Sequence, residues 1–364
     1  MCIACNTTPD PEAMDAFGEK FLGYLNGGVT AMMISIGDRT GLFEAMKDGV
    51  PRNAPQIAER TNLSERYVRE WLGGVTVAGI VECDEQGQLF HLPPAHAVLL
   101  TRNEQADSLA HLSQYISILG AVEDQVVECF EQGGGVPYAA YPRFHEVMAK
   151  DSRQTIVDAL EQHVLPLVPG MTDRLHAGVD VLDVGCGRGL ALCRMAELFP
   201  QSRFVGYDFS REAVDFATAN AAANGLENIR FEVRDLSGFD EDAPSEAFEF
   251  VTAFDAIHDQ IRPDRVLKGI RNTLRPGGTF LMQDIQASSN VAENRDHVLG
   301  PLLYGLSLMH CMTVSLSAGG TGLGAMWGEG LAREYLQNAG FPEVEVNTLD
   351  HDPQNYYYVT HKTV

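Results

Sequence analysis

The chain has 364 residues, more than one compact core usually holds, so two units are expected. Hydrophobic residues make up 45% and charged residues 21%, a balance that excludes a chain dominated by disorder. The formal net charge of -24 disfavours anionic partners, nucleic acid and acidic lipid surfaces among them.

The cysteines are odd in number, in a chain too large to need disulfide staples, so they read as reduced thiols of a cytoplasmic protein. Cys2 and Cys5 have the C-x-x-C spacing of a metal or redox pair, but no second pair accompanies them. They read as part of an inert terminus, and no metal site is expected. No basic region followed by an apolar stretch opens the chain, so no signal peptide is expected. Residues 298–328 carry no Asp, Glu, Lys or Arg, yet His310, several Ser and Thr and the small residues at 318–322 interrupt them. That pattern is too broken for a membrane span and predicts a buried helix followed by a glycine-rich loop.

In chain order, residues 14–100 have helical spacing, with Phe17, Phe21, Leu22 and Leu25 three and four residues apart. A short helix is predicted to end near Thr61–Asn62. Ser64 is placed to cap a second helix over 65–72, with Leu63 before it as a staple. This is helix-turn-helix grammar, and 79–92 reads as two short strands around Gln86-Gly87, a wing. The second helix carries Glu65, Arg66, Arg69 and Glu70, a balanced set rather than the basic excess of a DNA reader. A packing or dimerisation module is the expected role. Further helices are predicted over 109–130 and 144–168, separated by the turn-rich stretch of Gly133, Gly134, Gly135 and Pro137 to Pro142.

From Val179 strands and helices alternate. Strands are predicted over 179–184, 203–207, 229–233, 248–254 and 279–284, and helices over 191–199, 211–223 and 263–274. Such alternation predicts a parallel doubly wound sheet. A helix over 331–339 then precedes strands over 344–349 and 356–360, whose short loop at 351–355 allows antiparallel pairing.

The strongest motif is Asp183-Val184-Gly185-Cys186-Gly187-Arg188-Gly189, where an apolar strand enters a turn with glycine at every second position. Glycine lets the backbone turn tightly and approach a ligand closely. The dinucleotide fingerprint has different spacing and presents a helix N-terminus to pyrophosphate. Here Asp183 ends the strand, and a carboxylate would repel a pyrophosphate. It suits a ligand with an ammonium group and no phosphate, and S-adenosylmethionine fits that description. Asp208 ends the second strand, where an acid receives ribose hydroxyls, and Asp235 ends the third, where it can accept from an adenine amino group.

These residues, followed by Leu274-Arg275-Pro276-Gly277-Gly278, resemble in order the motifs of class I S-adenosylmethionine-dependent methyltransferases. The resemblance covers about 175–364. The whole chain also looks like a group of two-domain methyltransferases with an N-terminal winged-helix-like domain. Tyr141-Pro142-Arg143-Phe144-His145, Gly324-Ala325-Met326-Trp327-Gly328 and His351-Asp352-Pro353-Gln354-Asn355-Tyr356-Tyr357-Tyr358 carry that closer match. It implies an α/β, Rossmann-like doubly wound sheet with a C-terminal antiparallel strand, plus a mostly helical winged-helix-like domain. The expected division is 1–135 and 136–364, with a substrate-covering segment at 286–328.

The resemblance implies that S-adenosyl-L-methionine, and its product S-adenosyl-L-homocysteine, are held by Asp183, Gly185, Cys186, Gly187, Gly189, Asp208, Phe209, Asp235, Leu236 and Phe254. His258-Asp259, just after the fourth strand, is similar to the His-Asp pair of small-molecule O-methyltransferases, whose histidine is the general base. Histidine titrates near working pH and suits that task. The other reading is a histidine that only packs or caps, and Gln260 stands where the O-methyltransferase pattern has Trp. Tyr141, His310, Trp327 and His351 are candidates to line an acceptor pocket. The expected partners are a small, partly apolar methyl acceptor and a second copy of the chain, with no nucleic acid and no membrane. Methylation of nitrogen, carbon or protein, and a regulator that senses S-adenosylmethionine, are the alternatives.

Overall fold

The computed structural model describes residues 10–102 and 108–363, so the Cys2 and Cys5 pair lies outside the described residues. The chain divides into two compact units between Ser117 and Ile118, ahead of the glycine-rich linker.

In the first unit, the helix Pro11–Thr40 starts at Asp10, whose carboxylate accepts from Glu12 N, and ends on the left-handed Gly41. Asn53 and Gln56 form a reciprocal capping box that opens Ala54–Thr61. Asn62, with φ 54°, turns the chain into Glu65–Val77. This helix runs past the predicted end at 72 because Gly73 and Gly74 are tolerated. A Cβ on Gly74 would collide with Met33. Ser64 stands at the cap position in extended backbone but makes no capping bond through its side chain. Ile57, Val68, Leu72 and Val75 pack with Phe43 and Trp71 into the unit's core. Strands β1 (Glu82–Cys83) and β2 (Phe90–His91) pair antiparallel, and Arg52 bridges to Phe90, so the wing is present in miniature.

The helix predicted over 109–130 is instead three pieces, Leu109–Ser113, Gln114–Gly120 and Glu123–Gln132, broken where Gly120 ends the helical run. The prediction over 144–168 gives the helix Phe144–Ser152, then wide π-helical turns at Arg153–Val157 and Leu160–Val164, and a last tight turn containing Pro166.

The second unit is built on a seven-stranded sheet. Its strands are β3 (Asp180–Val184), β4 (Arg203–Asp208), β5 (Ile229–Val233), β6 (Phe248–Phe254), β7 (Leu274–Ile285), β8 (Val344–Leu349) and β9 (Asp352–His361). The spatial order is β5-β4-β3-β6-β7-β9-β8, with β9 antiparallel to both neighbours. Alternate residues face opposite cores, as strand geometry requires. Val181, Phe250, Leu281 and Tyr357 join one, while Leu182, Val251, Met282 and Tyr358 join the other. β7 begins earlier than the predicted 279 because Gly277 and Gly278 exchange hydrogen bonds with Lys362. β9 begins at Asp352 because it pairs with Leu349, leaving only Asp350 and His351 as the turn.

The chain leaves β3 for β4 and β5, then returns to β6 on the other side of β3. Such a switch point opens a crevice at the carboxyl ends of the strands. The turn after β3 enters it with φ 72° at Gly185, 51° at Gly187 and 67° at Gly189. A Cβ on Gly185 would lie 2.5 Å from Ala256 Cβ, whereas one on Gly187 would meet nothing within 4 Å. Gly187→Ala is therefore expected to lower the melting temperature by about 2–4 °C, the cost of a left-handed alanine alone at ~1 kcal/mol. Gly185→Ala adds a steric clash of about 1–3 kcal/mol and should lose at least twice as much. Equal melting temperatures for the two variants would contradict the account.

Candidate functional site

A cavity of about 440 Å³ occupies the crevice. Its floor is the strand ends: Asp183, Gly185, Cys186, Gly187 and Gly189 after β3, Asp208 and Phe209 after β4, Asp235 and Leu236 after β5, and Phe254 of β6. All ten predicted cofactor residues thus line one cavity. The turn is held from the neighbouring strand, since Gly185 N and Cys186 N both donate to Tyr207 O. Asp208 accepts from Gly187 N through Oδ2 and from Ser210 N through Oδ1, both at 2.8 Å. Gly206 lacks the Cβ that would strike Cys186 Sγ and Phe231, which lets the turn settle against β4.

Asp183 is buried, and among the described residues its one hydrogen bond from a side chain comes from Thr252 Oγ1 at 2.7 Å. Burial pushes its carboxyl up to about 7; the Thr252 bond opposes this and the charge of Asp208 adds to it. Burial also raises Asp208, against the two backbone amides that favour its charge. Asp235 accepts from Ser237 N at 2.8 Å.

The rest of the wall comes from elsewhere in the chain. Tyr138, Phe144 and His145 contribute an aromatic patch, with Tyr138 stacked on His145 at 4.5 Å and edge-on to Phe209 at 5.7 Å. His145 reaches Ser210 Oγ at 3.3 Å. Met148, Ile156 and Val314 add apolar surface, and Ser315, Ser317 and Ala318 close it. Residues 314–318 belong to the uncharged stretch expected to cover the site, and they are pinned there. Ser315 Oγ donates to Gln260 O, and Thr321 N donates to Ile261 O.

His258 does not reach the wall. Its side chain is buried, with Nδ1 2.7 Å from Asp284 Oδ1 and Nε2 3.2 Å from Asp259 Oδ1. Burial works against a charge on the ring, but Asp284 and then Asp259 outweigh it and hold the imidazole well above its ordinary range. Its neighbour Asp259 does line the cavity, as do Asp255 and Gln260. The geometry of an open general base, with Nε2 free toward the acceptor, is therefore absent. Asp255, with φ 49°, is strained just past β6, a place where strain marks working residues.

The predicted acceptor residues also lie behind the wall rather than on it. Tyr141 Oη donates to Met309 O, Trp327 Nε1 donates to Asp284 Oδ1 at 3.0 Å, and His351 Nε2 meets Thr155 O at 3.0 Å in the β8–β9 turn. His310 is buried flat against Phe144, ring centroids 3.5 Å apart, with neither ring nitrogen hydrogen-bonded. They support the wall by packing. Of the true lining, Phe144 and His145 belong to the motif Tyr141 to His145 singled out in the sequence, whereas Tyr138 lies just before it.

Residues 175–312 match the family described as a methyltransferase domain, and residues 28–102 match the Rv2258c-like winged HTH domain. The chain carries a class I methyltransferase domain behind a winged helix-turn-helix domain. The nocamycin O-methyltransferase of Saccharothrix syringae is 32% identical over 184 residues, 48% of this chain and 62% of that protein. The fatty-acid O-methyltransferase of Mycolicibacterium smegmatis is 29% identical over 116 residues, 32% of this chain and 40% of that protein. The chain thus spans about half the length of these curated relatives. Among solved structures, human N-acetylserotonin methyltransferase in complex with SAM superposes with a TM-score of 0.62 at 17% identity, covering 98% of this chain and 100% of that one. Mitomycin 7-O-methyltransferase superposes with a TM-score of 0.64 at 17% identity, covering 97% and 100%. These similarities confirm the fold. S-adenosylmethionine is the cofactor they indicate, and the donor set fits it: the buried Asp183 and Asp208 and the exposed Asp235 at the strand ends, and an open turn at Gly187.

Asp183 makes stability depend on pH with a definite sign. Its folded pKa lies above the unfolded value near 3.8, so the fold holds the proton more tightly than the unfolded chain. The contribution is fully present below about 4 and is lost as pH rises to about 7. Asp183→Asn keeps an acceptor for Thr252 and removes the charge. Its stability relative to the parent should climb by up to ~1.4 kcal/mol per pH unit across that window and level off above it. Paired thermal melts from pH 4 to 8 check this, and a constant difference would count against it.

Proposed function

We propose that this chain transfers a methyl group from S-adenosylmethionine to an oxygen of a small, partly apolar acceptor. The observation that carries the reading is one cavity combining acids from successive strand ends with an aromatic and aliphatic wall. When bound, S-adenosylmethionine supplies a methyl group activated by its sulfonium. Asp183 faces the ammonium group, where a positive charge relieves the cost of ionising a buried carboxylate. Asp208 receives the ribose hydroxyls, and Asp235 the adenine amino group. Phe209 and Leu236 supply apolar surface beside them. Tyr138, Phe144, Met148 and Val314 hold the acceptor and exclude water, so that transfer rests chiefly on orientation. The names of the relatives support oxygen as the acceptor atom. His258 acts from behind Asp259, fixing that carboxylate at the wall.

The charge pattern of the first unit supports an enzyme over a DNA-binding regulator. Arg66 pairs with Glu70 and Arg69 with Glu65, so the helix Glu65–Val77 spends these cations on its own acids. The helix Pro11–Thr40 instead exposes Met14, Phe17, Phe21, Leu25, Val29 and Ile36, a stripe at helical spacing that extends ~33 Å. So long an apolar stripe supports a homodimer.

Calorimetric titration with S-adenosylmethionine, S-adenosylhomocysteine and NADH tests the central reading. Micromolar binding of both sulfur ligands is expected, with none for NADH and at least a tenfold loss in Asp208→Ala. Absence of binding by either sulfur ligand would sink it. Light scattering tests the assembly: the chain should have a dimer's mass, and Phe17→Glu with Leu25→Glu should give the monomer. A monomeric parent would refute the dimer and leave the enzyme reading intact.

A further inference from the structure

At and behind the cavity wall, three donor atoms of different chemistry converge. His258 Nε2, Asp259 Oδ1 and Cys311 Sγ all lie within 4.8 Å of one another. His258 and Asp259 come from the loop after β6, and Cys311 ends the π-helical segment Ser307–Cys311. We propose that these atoms form a binding site for a divalent transition metal ion of the zinc type.

The donor set selects the ion class. Imidazole nitrogen, carboxylate oxygen and thiolate sulfur together suit zinc or cobalt, whereas magnesium and calcium take oxygen ligands alone. The spacing agrees. Zinc bonds of about 2.0–2.2 Å at a tetrahedral angle hold nitrogen and oxygen roughly 3.4 Å apart; Nε2 and Oδ1 are 3.2 Å apart. Hydrogen bonds also fit these distances, and in the metal-free protein Cys311 is close enough to both groups to bond with them.

The histidine is held as a metal ligand needs to be. Nδ1 lies 2.7 Å from Asp284 Oδ1, so a proton on Nδ1 directs the lone pair of Nε2 toward Asp259 and Cys311. A carboxylate behind a ligating histidine is the usual means of fixing ring and tautomer. Asp284 is itself fixed, accepting from Trp327 Nε1 at 3.0 Å and from Ile285 N at 2.9 Å. The ion takes the place of the protons otherwise carried by Nε2 and the thiol. Three protein ligands leave a fourth position, and Asp259 also lines the cavity, so the ion would sit at its wall. The site stands without the methyl-transfer reading.

The test uses the full chain with Cys2→Ser and Cys5→Ser, so that the C-x-x-C pair cannot supply sulfur ligands. The metal-free protein is titrated with cobalt(II) and followed by its thiolate-to-cobalt absorption in the near ultraviolet. Binding of about one cobalt per chain is expected, by the ligand count of such a site, with zinc displacing it. Cys311→Ser should abolish the near-ultraviolet band, and Asp259→Asn should weaken cobalt binding at least tenfold. Cys311→Ser, which lies off the cavity wall, should still bind S-adenosylhomocysteine like the parent, and Asp259→Asn should keep the parent's far-ultraviolet circular dichroism, which shows that both are folded. Absence of a stoichiometric band in the parent, or its survival in Cys311→Ser, would overturn the site. Cobalt binding without any S-adenosylhomocysteine binding would keep the site and refute the cofactor reading instead.

Discussion

A parallel sheet covered on both faces leaves its strand ends in a medium that solvates charge poorly, and this chain places carboxylates there. Asp183, Asp208 and Asp284 are all buried. Each must be paired, be hydrogen-bonded or take up a proton. Asp284 has His258 and Trp327, and Asp208 has two backbone amides, but Asp183 has one hydroxyl. Of these three, the least compensated ends the strand that enters the glycine turn. Its raised pKa is therefore a measure of how much a cationic ligand group would gain there.

The turn and the second acid are one mechanical unit. Tyr207 O accepts from two successive amides of the turn, and Asp208 accepts from a third at Gly187. Side chains at 185 or 189 would strike Ala256 or Phe231, so glycine is required by packing as well as by φ. At Gly187 only φ demands it, because the space beside it is open. Packing therefore seals the turn on two sides and leaves the third to the cavity.

The sheet was legible because its signal is local and periodic: apolar strands of fixed length, each followed by an acid or a glycine turn. The strand positions and all ten residues of the cavity floor follow from that pattern and from the resemblance it carries. What stayed illegible depends on distant pairing or on the direction of a side chain. The extensions of β7 and β9 come from contacts between Gly277, Gly278 and Lys362, far apart in sequence. Tyr138 and His145 reach the cavity from two short helical elements that precede the sheet altogether. His258 was recognisable as a chemical residue, but only the fold shows that its ring turns inward between two acids while Asp259 turns to the wall.

Under the proposed methyl transfer, that inversion moves selectivity away from His258. The uncharged segment was expected to cover the site, and it does form wall, but as a fixture. Thr313 Oγ1 accepts from Val136 N, Tyr141 Oη holds Met309 O, and Ser315 and Thr321 are bonded to the loop after β6. A side chain on Gly135 would collide with the backbone at Thr313, so the packing there is close as well. Each such bond contributes about 1 kcal/mol, and lifting the whole segment would break several at once. The cavity is thus bounded by a standing wall, built from residues near 138–148 and 314–318. Under the proposed methyl transfer, selectivity among acceptors follows from these apolar surfaces, while the buried groups around His258 keep the wall's polar corner in place.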